Sequence, residues 1–136
     1  MTYCGIVIST KDTERALKEL SEDDREWVKV TDLEKGETEL WWDETRYGGQ
    51  NICGDLLNAK IDFYGSHGGE GNYDPMEFVG LDGKIYEVLT SDRGYLVIVD
   101  VVTGEVDPTE LAEIKKFIQV RDTITRRIQR RYRSGD

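Results

Sequence analysis

The C-terminal segment places the tightest constraint on the fold, because it reads as one uninterrupted amphipathic helix. Asp107 is a good N-cap, Pro108 stands at the first helical position, and Glu110 completes a capping box three residues after Asp107. The helix can run to about Tyr132, with Gly135 beyond it. At about 100° per residue, Leu111, Ile114, Phe117, Ile118, Val120, Ile124, Ile128 and Tyr132 occupy one half of its circumference. Lys115, Lys116, Arg126, Arg127, Arg130 and Arg133 lie on the other half. So wide an apolar face must lie on something, and the sequence before it supplies strands.

Continuous or alternating apolar runs predict strands at 3–9, 26–32, 38–44 and 61–64, then a meander at 76–80, 84–90 and 95–102. Turn residues separate them, notably Glu34-Lys35-Gly36-Glu37, Leu81-Asp82-Gly83 and Ser91-Asp92-Arg93-Gly94. Segment 12–20 predicts a short helix through Ala16, Leu17 and Leu20, 47–51 a loop, and 56–60 a helical turn. The expected fold is therefore α+β: a mostly antiparallel β-sheet of about six or seven strands, a short N-terminal helix and one long C-terminal helix. Residues 1–106 form the acidic β-rich core, and 107–133 the basic helix of the same domain. At 136 residues the chain can bury a core without disulfide or metal staples.

Charge is distributed as unevenly as structure. Residues 1–114 carry a net charge of −16 and residues 115–136 a net charge of +6, giving −10 for the chain. An acidic body repels nucleic acid and anionic membranes at long range, whereas an Arg cluster attracts them. Duplex DNA is thus an unfavourable partner, and no membrane partner is expected. No apolar run approaches the ~18 residues that span a bilayer. The N-terminus has no basic stretch before its apolar residues, so a cytoplasmic protein with Cys4 and Cys53 reduced is expected.

Arg121 stands apart, in the middle of the apolar arc between Phe117, Ile124 and Ile128. A guanidinium there must snorkel, pair with a carboxylate of the sheet, or reach a ligand. With Arg126, Arg127, Arg130 and Arg131 it forms the candidate site for an anionic ligand or a partner. His67 and Tyr73 join the candidates because they lie in the glycine-containing stretch 65–75, which could close over a ligand. Trp42 joins them as one of two adjacent tryptophans on opposite strand faces, an aromatic flanked by carboxylates. There is no HExxH, CxxC, EF-hand or P-loop pattern, so no catalytic residues, metal ligands or cofactors are assigned.

Three functions are compatible with these residues. The first is a non-catalytic binding or inhibitor protein, of the kind found among mobile-element or viral proteins, capturing a basic protein or a small anionic ligand. The second is a nucleic-acid or nucleotide binder using the Arg cluster, and the third an enzyme whose site is shared between subunits. The wide apolar face further predicts a homo-oligomer, with 111–118 on the sheet and 124–132 against another copy.

Overall fold

The computed structural model describes residues 1–69, 74–91 and 93–134. Its elements in chain order are β1 (Thr2–Ser9), α1 (Thr13–Glu19), α2 (Glu22–Trp27), β2 (Lys29–Asp32), β3 (Glu37–Thr45), α3 (Gln50–Asn58), β4 (Phe63–His67), β5 (Met76–Leu81), β6 (Lys84–Ser91), β7 (Gly94–Tyr95) and α4 (Pro108–Ser134). The seven strands form one antiparallel sheet in the order β2-β3-β1-β4-β5-β6-β7. This is the α+β arrangement that the pattern of strands and helices predicts. Among the described residues no helix is long and apolar enough to cross a membrane.

Alternation along the strands separates two cores. Cys4, Ile6 and Ile8 of β1, Leu40 and Trp42 of β3, Phe63 and Phe78 pack with Ala16, Leu20, Ile52, Cys53 and Leu56 from the α1–α3 side. On the opposite face Val79 and Val88 pack against Ile114, Phe117, Val120, Ile124 and Ile128 of α4. The central strands approach closely at Gly65, where an added Cβ would fall 2.1 Å from the Gly5 carbonyl oxygen. No residue with a side chain fits there without moving β1.

Three segments differ from expectation. Residues 26 and 27 belong to α2 rather than to a strand, because Ser21 accepts a hydrogen bond from the Asp24 amide at 3.2 Å and Glu22, Asp23 and Asp24 fill the first turn. Residues 50–58 form a full helix that buries Ile52, Cys53 and Leu56. The third predicted strand of the meander pairs with β6 only at Gly94 and Tyr95. Its continuation leaves the sheet because the Ile98 amide donates to Glu110 of α4 and Val97 packs into the α4 core.

The helix also corrects the expected mode of assembly. Ile124 and Ile128 are 0% and 3% exposed within the single chain, covered by its own sheet. One small sheet covers the apolar stripe through Ile128 because α4 crosses four strands, touching β6, β5, β4 and β1. The apolar excess that pointed to packing against a second copy at 124–132 is therefore reduced to Tyr132, 55% exposed, lying over Gly36.

Ile124→Ala should lower the unfolding free energy by about 2–5 kcal/mol, since it opens a cavity at a fully buried site. Ile118→Ala, at a position 40% exposed on the same helix, should cost less than about 1 kcal/mol. Urea unfolding of the two variants checks the assignment of the buried face.

Candidate functional site

Most of the Arg cluster is spent inside the molecule. Arg121 pairs with Glu77 of β5 at 3.3 Å and donates to the Tyr95 hydroxyl. Its guanidinium also lies 5.8 Å from the ring centres of Tyr95 and Phe117. Arg127 bridges Asp62 at 3.1 Å and Asp82 at 2.9 Å. Arg131 forms a forked pair with Asp12, at 2.8 and 3.2 Å, across the end of β1. Arg126 pairs with Asp122 one turn away at 2.8 Å. Arg130 is exposed and has no hydrogen bond or ion pair among the described residues.

These pairs have electrostatic consequences. The Arg127 hydrogen bond holds the Asp82 carboxyl below its usual range, and the two aspartates raise the Arg127 guanidinium in turn. Burial, and then Glu77, pushes the Tyr95 phenol up. Burial does the same to Tyr64, which donates to Glu37 in the neighbouring part of this face. The result is a ladder of paired groups between helix and sheet, while Lys115, Lys116, Arg130 and Arg133 stay exposed on the back of α4.

The remaining candidates do not join the arginines. His67 is buried at the end of β4, with Nδ1 2.9 Å from the Gly68 carbonyl oxygen and its ring 6.3 Å from that of Phe78. It stands in the first core, not in a loop over a ligand, because β4 extends through residue 67. Tyr73 lies outside the described residues. Trp42 is the core member of the tryptophan pair, 1% exposed, its indole N–H donating to the Asp24 carbonyl at 2.8 Å. It offers no surface for an anchor. Trp41 occupies the other face, where it stacks on Tyr3 at 5.0 Å and lies against Gly5.

Cys4 and Cys53 are free and buried. Burial pushes the Cys4 thiol up to about 12 and the Cys53 thiol well above its usual value, so neither supplies a thiolate near neutral pH. Among the described residues no cluster of His, Cys, Asp and Glu is arranged to hold a metal ion.

A concavity rimmed by carboxylates lies where β6 meets the start of α4. A cleft of about 330 Å³ opens between Glu87, Val88 and Leu89 on one side and Asp107, Glu110, Glu113 and Ile114 on the other, with Met76 and Leu96 in its lining. Two of its carboxylates have structural work. Asp107 caps α4 by accepting from the Thr109 amide at 2.9 Å, and Glu110 accepts from the Ile98 amide at 3.3 Å. Glu87 and Glu113 have no hydrogen bond or ion pair among the described residues and are exposed. Sequence patterning marks Glu87 only as water-facing, because the cleft exists only once residues 96–106 depart from β6. Comparison with protein-family models, curated proteins and solved structures finds no match to this chain.

The lowered Asp82 value fixes the sign of one pH dependence. A carboxyl depressed in the folded state contributes stability above its unfolded value of about 3.9, and loses that contribution as pH falls through the folded value. Arg127→Met should therefore flatten the acid limb of the stability curve, its melting-temperature deficit shrinking below about pH 4. Thermal melts from pH 7 to pH 2 measure this, and a deficit that stays constant would show that the pair does not set the Asp82 value.

Proposed function

We propose that this chain is a non-catalytic binding protein that captures a basic partner protein at the cleft between β6 and α4. The observation that carries this reading is the contrast in how charge is used. Arg121, Arg126, Arg127 and Arg131 are all paired within the chain, whereas Glu87 and Glu113 are exposed beside apolar surface and have no partner among the described residues. A small anionic ligand or a nucleic acid would have to displace those aspartates and glutamates from four of the five arginines of the cluster, all but Arg130. A cationic partner meets no such competition, and the net charge of −10 accelerates its approach.

Apolar exposure supports the same side of the molecule. Leu96, Ile98 and Val99 are 47%, 65% and 47% exposed, and Val101 and Val102 are 99% and 89% exposed, all on the segment leading into α4. An apolar surface rimmed by carboxylates fits a protein partner with basic residues around an apolar centre. An inhibitor acting in the cytoplasm by masking a basic surface is a biological role compatible with this chemistry.

Poly-L-lysine should bind in a salt-sensitive manner, while poly-L-glutamate and mixed-sequence duplex DNA should not. Glu113→Lys should weaken poly-L-lysine binding about tenfold, and Glu22→Lys, an equal charge change on α2, by no more than about twofold. Equal losses would reduce the cleft to diffuse electrostatics, and tight binding of the duplex would replace this reading with nucleic-acid recognition. Fluorescence anisotropy at two salt concentrations distinguishes these outcomes.

A further inference from the structure

The cleft is bounded by an open sheet edge. Asp82 and Gly83 have φ of 53° and 81°, so they form a two-residue turn of the type that matches strand twist. Such a turn closes Leu81 and Lys84 as a hydrogen-bonded pair, and alternation then makes Val79–Tyr86 and Glu77–Val88 hydrogen-bonded pairs as well. Ile85, Glu87 and Leu89 consequently direct their backbone N–H and C=O groups away from β5. Leu89 confirms the register, since its carbonyl accepts from the Leu96 amide at 3.0 Å on that outer side. Among the described residues Ile85 and Glu87 have no backbone partner there, because the chain after β6 pairs back onto it only at Leu89, Thr90 and Ser91.

We infer that this edge of β6 is a strand-docking site, and that its occupant is an extended segment of a partner protein carrying basic side chains among apolar ones. The inference rests on the capture of a basic partner proposed above and adds its mode: main-chain pairing to Glu87 in the cleft and to Ile85 on the same strand edge beside it. Three observations select this occupant. The outward backbone groups supply hydrogen bonds to any extended chain, and the cleft between β6 and α4 gives that chain an apolar lining from Val88, Leu89, Leu96 and Ile114. Glu87 and Glu113, unpaired among the described residues, favour positive charge on the occupant. A second copy of the chain is disfavoured by the same charges, since pairing two β6 edges about a two-fold axis brings both sets of Glu87, Asp107, Glu110 and Glu113 together.

The probe is a decapeptide of alternating Lys and Val, compared with the same peptide N-methylated at every second residue on one edge and with a Glu/Val decapeptide. N-methylation removes main-chain donors and blocks that edge while leaving charge and side chains intact. Two methylated peptides, one for each edge, cover both possible orientations. The unmethylated Lys/Val peptide should bind, at least one methylated form should bind more than tenfold more weakly, and the Glu/Val peptide should not bind. Amide exchange of Ile85 and Glu87 should slow on binding, with no comparable change at the Lys29–Asp32 edge.

On the protein side, Glu87→Pro removes an outward amide together with the carboxylate, whereas Glu87→Gln removes only the charge. Glu87→Pro should weaken binding about tenfold beyond Glu87→Gln, provided that both retain the parental circular dichroism spectrum. Equal binding of all the methylated and unmethylated Lys/Val peptides would overturn strand docking and leave charge capture standing. Failure of every Lys/Val peptide to bind would overturn both. Sedimentation of the protein alone as a dimer that Glu87→Pro dissociates would assign the edge to a second copy, against this inference.

Discussion

The second face of the sheet and the cleft beside β6 depend on burial of the α4 stripe against the sheet. Ile114, Phe117, Val120, Ile124 and Ile128 form most of the second core, and they bind the helix across four strands. Arginines at 121, 127 and 131 flank the stripe and reach carboxylates on β5, on the turns before β4 and after β5, and at the end of β1. The pairs of Arg121 and Arg127 are partly exposed and worth little individually, of the order of 0–1 kcal/mol each, whereas the Asp12 carboxylate paired with Arg131 is buried. Their contribution is direction, because each fixes a different point along the helix over a particular part of the sheet. With that direction set, the helix N-terminus and its carboxylates stand beside the edge of β6, and the cleft follows.

An uncovered strand edge is ordinarily a route to aggregation. The carboxylates around the β6 edge answer that hazard by repelling identical chains, and in doing so they restrict what else can approach. The opposite edge is protected differently. Strand β2 has only four residues, and Lys29 on it is paired with Asp43 at 2.6 Å. The two edges therefore differ in chemistry: one is short and locally neutralised, the other longer and strongly acidic.

The fold was legible in the sequence where periodicity and punctuation agreed. The continuous β-branched run in 3–9 and the turn-bounded runs in 76–90 give strands, and Asp107-Pro108 gives the start of the helix. Helices α2 and α3 were obscured because acidic residues and glycines weaken their periodicity, while the capping by Ser21 and burial of Ile52 and Leu56 act in three dimensions. Segment 95–102 was misread for the opposite reason: strong β propensity was overridden by the need to climb from the sheet edge to the start of α4. Arg121 was correctly picked out as needing a partner, but sequence could not choose between Glu77 and a ligand. The cleft was illegible, since its walls are formed by Glu87 and Glu113, ordinary surface residues until the chain diverges between them.

The bond between Arg131 and Asp12 joins residues 119 apart in sequence, and this sets an order on folding during synthesis. The first core, from Cys4 to Phe78 with Ile85 packed against it, is encoded before the helix. The second core has no partner for Val79 and Val88 until residues 114–128 have left the ribosome. A nascent chain must therefore carry one finished sheet face and one bare one until α4 has been made. The excess of carboxylates in residues 1–114 sets identical half-covered chains to repel one another until α4 closes the second core.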